Sequence, residues 1–398
     1  MLFNNNLKIN QIKLYLINIM IKKLIGPILS LVLLILGNGL FNTFVSVSLE
    51  MQGFDAEVIG MVTSALYAGI LAGSWGIDRW ISRVGHSRAM MVFAGVSGVL
   101  VLLQGLWLDP VYWGALRFLG GICMAGVFVA IESWFLLQST PATRSAALSL
   151  YVGVFYAALS SGQLLIHWCD LNAFGPFLLV SALSFASIVP LLWSKVETPK
   201  LEQSARLPIW ELARRSPLGF AGGVMSGIVL ATTYGLIPVF AKERGLTVPD
   251  VGNLMAVIIF GGLSLQWPLG KLADKLGRKK VLQLVSLLSL GCSVGMSVVH
   301  PDNVLFLVLA WMFGGVAFGL YPLSMAYTCE HVEENELVPA TGSFVLAYGL
   351  GAIAGPLLAP LAMEGFGAHG VFYFLAGVFG VLGSVGLVFR AAKKEVEE

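Results

Sequence analysis

The chain has 398 residues, 57% of them hydrophobic and only 12% charged, with a mean hydropathy of +0.84. Soluble domains run to about 25% charged residues, so a water-soluble globular fold is excluded. The formal net charge of +2 points to no nucleic acid, and four scattered cysteines (Cys123, Cys169, Cys292, Cys329) beside no histidine cluster suggest neither a disulfide framework nor a zinc site.

Residues 1–23 carry Lys8, Lys13, Lys22 and Lys23 and show no small-residue cleavage site of the kind that ends a secretory signal. Met20, just before Lys22 and Lys23, is an alternative start to the chain. Charge-free runs follow at 24–49, 58–77, 89–108, 145–169, 171–194, 216–241, 251–270, 281–301, 303–329, 337–363 and 365–389, and a further run, 110–131, is broken only by Arg117. About 20 helical residues at 1.5 Å each cross the roughly 30 Å hydrocarbon layer. These runs are too long for barrel strands, and backbone groups inside lipid must be paired within the segment, so twelve membrane-spanning helices are predicted.

Basic residues mark the cytoplasmic connections of such a protein. Placing the N-terminus in the cytoplasm leaves 21 of the 24 Lys and Arg residues on that side; Lys242 and Arg244 fall outside and Arg117 lies within a span. Both termini are therefore expected in the cytoplasm.

The longest polar internal segment, 195–215, divides the chain into a half at 24–194 and a half at 216–389, with a short tail at 390–398. The halves repeat. A shift of 192 places Trp75 on Trp267, Arg83 on Lys275, Gly85 on Gly277 and Arg88 on Lys280, and a shift of 198 places Glu132 on Glu330. Parallel six-helix repeats related by an axis along the membrane normal are one of the architectures of secondary transporters, with the substrate held between them.

The segment Gly270-Lys271-Leu272-Ala273-Asp274-Lys275-Leu276-Gly277-Arg278-Lys279 falls between the eighth and ninth spans. It resembles the signature loop of the major facilitator superfamily, and Gln266-Trp267-Pro268-Leu269-Gly270 with Gly319-Leu320-Tyr321-Pro322 is most similar to its uncharacterised YcaD-like branch. The resemblance extends from about Lys22 to Arg390. It implies an all-α membrane fold of two pseudo-symmetric six-helix bundles and secondary transport across the bacterial inner membrane by alternating access. The partners it implies are a small-molecule substrate and the lipid bilayer, with a coupling proton left open; it calls for no cofactor, and the chain is expected to act as a monomer. In the first half the loop departs from the pattern, with Asp78 in place of glycine and Ser82 in place of aspartate.

Two groups of residues are candidates for function. At the basic end, a gate of charge pairs would hold one state and release it: Asp78, Arg83, Arg88 and Glu132 in the first half, and Gly270, Asp274, Gly277, Arg278, Lys279 and Glu330 in the second. Arg83 and Arg88 are expected to pair with Glu132, and Lys275, Arg278 or Lys279 with Glu330. The resemblance places Asp274 against a helix N-terminus of the other half, where the helix dipole favours a carboxylate. The alternative is that these charges are solvated anchors of the loop.

Arg117 is the second focus. A guanidinium within a span costs about 2.5–3.5 kcal/mol on insertion scales and ordinarily faces a cavity or a partner. Asn42, with Asn38 one turn deeper on the same face, lies at similar depth, and the resemblance brings the first, fourth, seventh and tenth spans around a central cavity. Substrate-cavity candidates are Asn38, Asn42, Arg117, Gln163, Tyr234, Gln266 and Tyr321. Arg117 either receives an anionic or carbonyl-rich solute or couples protons; otherwise it is a structural arginine satisfied by amides and carbonyls. The favoured solute is anionic or amphipathic. An exporter of hydrophobic compounds is the alternative, for which an aromatic cavity is the evidence to look for, and a non-transporting sensor on a carrier fold is the alternative of another class. No nucleophile with its base, phosphate loop or metal cluster points to an enzyme.

Overall fold

The computed structural model describes residues 2–139, 143–170, 174–192, 207–333 and 336–397, and of their side chains all but those of 2–23, 78, 136, 137, 144, 145, 338 and 386–397. Among the described residues there is no strand. Twelve helices carry the fold: α1 Leu2–Met51, α2 Ala56–Gly73, α3 His86–Gln104, α4 Pro110–Leu137, α5 Arg144–Leu164, α6 Gly175–Ala186 with its continuation Val189–Leu192, α7 Pro217–Glu243, α8 Val248–Leu276, α9 Arg278–Val298, α10 Val304–Cys329, α11 Leu337–Phe366 and α12 Gly370–Glu397. Eleven stretches are long and apolar enough to cross a membrane; the last, Pro339–Val385, holds both α11 and α12, joined through a 3-10 turn at Gly367–His369. The helix that opens the first half begins at Leu2, ahead of the expected span, and α12 runs on through the expected tail to Glu397. The polar connection 195–206 lies outside the described residues; the rest of that connection forms the short helix Ile209–Arg215. Arg215 fastens it, pairing with Glu211 at 2.9 Å and with Glu336 beside the start of α11.

The helix starts follow capping chemistry. The Asp109 carboxylate accepts from the Tyr112 amide (2.7 Å), the Thr247 hydroxyl from the Asp250 amide (3.4 Å) and the Asn303 amide oxygen from the Leu305 amide (2.9 Å), which satisfies donors that a helix N-terminus leaves unpaired. The internal repeat is also written in the backbone. Gly85, between the short helix Ile77–Val84 and α3, has φ 93° and ψ 150°; Gly277, between α8 and α9, has φ 87° and ψ 140°. Only glycine adopts that region without strain, so the same turn is built from the same residue in each half.

The halves meet chiefly along two helix pairs, α2 against α11 and α5 against α8, with α7 also packed on α1 and α2. Their closest approaches lie away from the basic loops. Ser64 on α2 donates to the Ile353 carbonyl on α11 (2.8 Å), and Ser160 on α5 donates to the Ala256 carbonyl on α8 (2.9 Å). Gly60 packs on the Pro356 backbone and Gly252 on Gln163 and Ile166. Toward the basic end the halves part, and the space between them is the central cavity.

Candidate functional site

The central cavity has a volume of about 530 Å³. Helices α1, α2, α4 and α5 of the first half and α7, α8, α10 and α11 of the second contribute to it, mostly from the part of each helix nearer the basic loops. One face of α4 supplies Met124, Phe128 and Glu132 at helical spacing, and one face of α5 supplies Tyr151, Phe155 and Leu159. Six tyrosines line it: Tyr67, Tyr151, Tyr156, Tyr234, Tyr321 and Tyr348. Tyr156 stacks on Phe318 across the two halves with ring centroids 5.8 Å apart, and Tyr234 stands 5.7 Å from the same ring. Tyr321 and Tyr348 meet edge to face at 5.1 Å. Aromatic rings in these arrangements gain beyond the area they bury, so the walls keep their shape while presenting hydroxyls and ring faces to the space between.

Among the described residues Glu132 is the one charged side chain in that wall. Although it stands within a span, its side chain is exposed to the cavity. The expected pairing of Glu132 with Arg83 or Arg88 is not present among the described residues, because its face of α4 turns into the cavity beside Tyr151 and Tyr321 rather than toward the loop. In the second half Arg278 does meet Glu330, at 2.7 Å, and also donates to the Ala326 carbonyl at 2.9 Å, tying the start of α9 to the end of α10 within one half. Gly270 and Asp274 are exposed on the last turns of α8, and among the described residues no bond joins Asp274 to a helix of the other half. Gly277 supplies the turn, and Lys279 stands in the first turn of α9. Lys271 packs its ammonium 3.6 Å from the centre of the exposed Trp267 ring. The side chain of Asp78 lies outside the described ones.

Of the residues expected in the cavity, Asn38, Asn42, Tyr234, Gln266 and Tyr321 line it. Gln163 does not. It is buried between α5 and α1, where its amide oxygen accepts from the Thr43 hydroxyl at 2.6 Å, because its position near the closed end of α5 faces a neighbouring helix. Arg117 also stands outside the central wall. Its Nη2 donates to the Asn42 amide oxygen at 2.7 Å, the Asn42 amide nitrogen donates to Asn38 at 2.8 Å, and the guanidinium lies 5.4 Å from the centre of the Phe41 ring. The guanidinium thus stops one residue short of the central space and borders a second, small cavity inside the first half.

Sequence reasoning missed Tyr67, Tyr151, Tyr156, Phe128 and Phe155. A signal was present: the i, i+4, i+8 spacing of Met124, Phe128 and Glu132 puts a carboxylate on an otherwise apolar face.

The model of the Major Facilitator Superfamily matches residues 15–302 and 219–398. The chain belongs to the major facilitator superfamily. Its relatives include an uncharacterized MFS-type transporter of Enterobacter sp. (strain 638), 31% identical over 355 residues that cover 87% of this chain and 91% of the relative. The uncharacterized MFS-type transporter YcaD of Escherichia coli (strain K12 / DH10B) is 32% identical over the same share of each. Among solved structures, that of the nucleoside transporter NupG superimposes with a TM-score of 0.78 at 16% identity, covering 92% of this chain and 98% of that one. A bacterial homolog of the human lysosomal transporter Spinster, in an inward-facing and unoccupied conformation, gives 0.70 at 14% identity, covering 91% and 95%. As a member of this superfamily the protein is a multi-pass membrane transporter of small molecules and not an enzyme.

Proposed function

We propose that this transporter carries a small amphipathic organic solute with an aromatic or heteroaromatic ring, uncharged or cationic, through the central cavity by alternating access. The observation that carries the reading is the composition of that wall among the described residues: six tyrosines and two phenylalanines beside aliphatic side chains, four neutral polar side chains and one carboxylate, with no basic group. Ring faces attract cations as well as flat apolar groups, hydroxyls and amides orient a neutral solute, and Glu132 repels an anion. An anionic solute loses the anchor expected for it, because the Arg117 guanidinium is bonded to Asn42 behind the wall. With the basic loops assigned to the cytoplasm of a bacterial cell by their charge, closure at the opposite end makes this the inward-open state. The arrangement suits an exporter that collects amphipathic compounds from the cytoplasm.

Thermal unfolding of the purified transporter, at fixed chloride and ionic strength, tests the solute class. The panel comprises purine and pyrimidine nucleosides, aromatic quaternary ammonium ions and aromatic carboxylates. A ligand at 100 times its dissociation constant adds about 2.7 kcal/mol. Stabilisation by neutral or cationic members, abolished in Tyr234→Ala and, for the cations alone, weakened in Glu132→Gln, is the expected result. Stabilisation by carboxylates only, unchanged in both variants, overturns the proposal.

A further inference from the structure

The small cavity beside Arg117 has a volume of about 50 Å³ and sits among α1, α2, α3, α4 and α6 of the first half. A water needs about 10–15 Å³ on this measure, so roughly three water-sized groups fit. Two buried side chains border it with a donor left over. Arg117 is 5% exposed and its Nε has no acceptor; Gln104 is 2% exposed and its amide nitrogen has none either.

The charge is the larger problem. A guanidinium keeps its proton in any protein, and a buried ion costs several kcal/mol unless it is paired. The partners of Arg117 are an amide oxygen, a phenyl ring and, electrostatically, the Tyr67 phenol, all neutral, and among the described residues no carboxylate forms an ion pair with it. Water would satisfy Nε, and the Ser184 oxygen, whose hydrogen goes to the Val180 carbonyl, can accept from it, yet water leaves the charge uncompensated. What the pocket lacks is a compact acceptor with a negative charge.

We propose that this cavity is a binding site for one small monovalent anion of chloride size, held by Arg117 Nε and the Gln104 amide nitrogen. Asn38, Leu66 and Met124 belong to the walls of both cavities, so the anion enters from the water-filled central space past these three side chains. It neutralises the buried guanidinium and braces α1, α3 and α4 against one another. The site is separate from the solute-binding wall, and its occupancy does not depend on which solute is carried.

The test uses the full-length purified protein. Chloride is exchanged for gluconate, too large for the cavity, at constant ionic strength, and the unfolding midpoint is followed. The midpoint of the wild type is expected to rise saturably with chloride. Gln104→Glu places a carboxylate on the site and is expected to flatten the response; Gln104→Leu removes one donor to the ion and is expected to raise the half-saturating chloride by about tenfold or more. Crystals grown in bromide are expected to show an anomalous peak between Arg117 Nε and Gln104. A flat chloride response in the wild type, a response in both variants identical to that of the wild type, or a site holding water without a bromide peak overturns the proposal. Should neither variant fold, the bromide peak in the wild type decides alone.

Discussion

Replacing Gly60 with alanine is expected to loosen the end at which the two halves meet, which the proposed cycle opens and closes. An alanine Cβ at Gly60 on α2 would sit 2.0 Å from the Pro356 carbonyl oxygen on α11, about 1.4 Å short of ordinary contact at 3.4 Å, and the obstacle is backbone that no rotamer change removes. Overpacking of this kind costs about 1–3 kcal/mol. Because the contact joins the two halves at the end that is closed here, that cost falls on this state and not on one in which α2 and α11 have separated. The equilibrium then shifts by about 5- to 150-fold toward opening at that end. Gly69 provides the control on the same helix: a Cβ there meets the Phe118 carbonyl oxygen at 1.9 Å, but on α4 of the same half. Spin labels at Gln52, in the turn just past α1, and Phe366, at the end of α11, both exposed, report the separation. Gly60→Ala should lengthen the distance distribution, whereas Gly69→Ala should lower the unfolding temperature and leave the distances alone. Equal behaviour of the two variants, or no lengthening with Gly60→Ala, refutes the argument that this contact closes the transporter.

Two further outcomes follow from the geometry. Arg278 and Glu330 are both partly exposed, with 31% and 48% of the side chain accessible, and exposed pairs contribute about 0.2–1 kcal/mol; Glu330→Gln should lower stability within that range, and Arg278→Ala by more, because it also loses the bond to the Ala326 carbonyl. Equal losses in thermal unfolding would deny that second bond a role. Gln163→Leu should destabilise by about 1–2 kcal/mol by leaving the buried Thr43 hydroxyl without its acceptor, while the response to every stabilising solute stays as in the wild type; a selective loss of solute response would return Gln163 to the cavity.

The twelve helices were legible because lipid imposes one rule on every residue of a span: charge is expelled, and the boundaries follow from counting. The repeat was legible for a related reason, since the turns at Gly85 and Gly277 need a residue that only glycine supplies. The cavity was less so. Charge drew attention to Arg117, whose cost in a membrane is high, yet a high cost says that a residue must be satisfied and not where. Tyrosine is cheap within a span and common at its ends, so Tyr67, Tyr151 and Tyr156 stood out only once the helices were placed around a common axis. Glu132 was assigned to a gate because it sits near the end of its span; its rotation about the helix, set by the face it shares with Met124 and Phe128, is what brings it into the wall.

The chain of amides behind that wall has a direction. An arginine can only donate, so it fixes the Asn42 carboxamide with its oxygen toward Arg117 and its nitrogen toward the Asn38 oxygen. Asn38, at the boundary of both cavities, is left with N–H groups to offer. A cation outside the central wall thereby sets the hydrogen-bonding sense of this part of it, turning the free N–H groups of Asn38 toward any carbonyl, ether oxygen or ring nitrogen presented there.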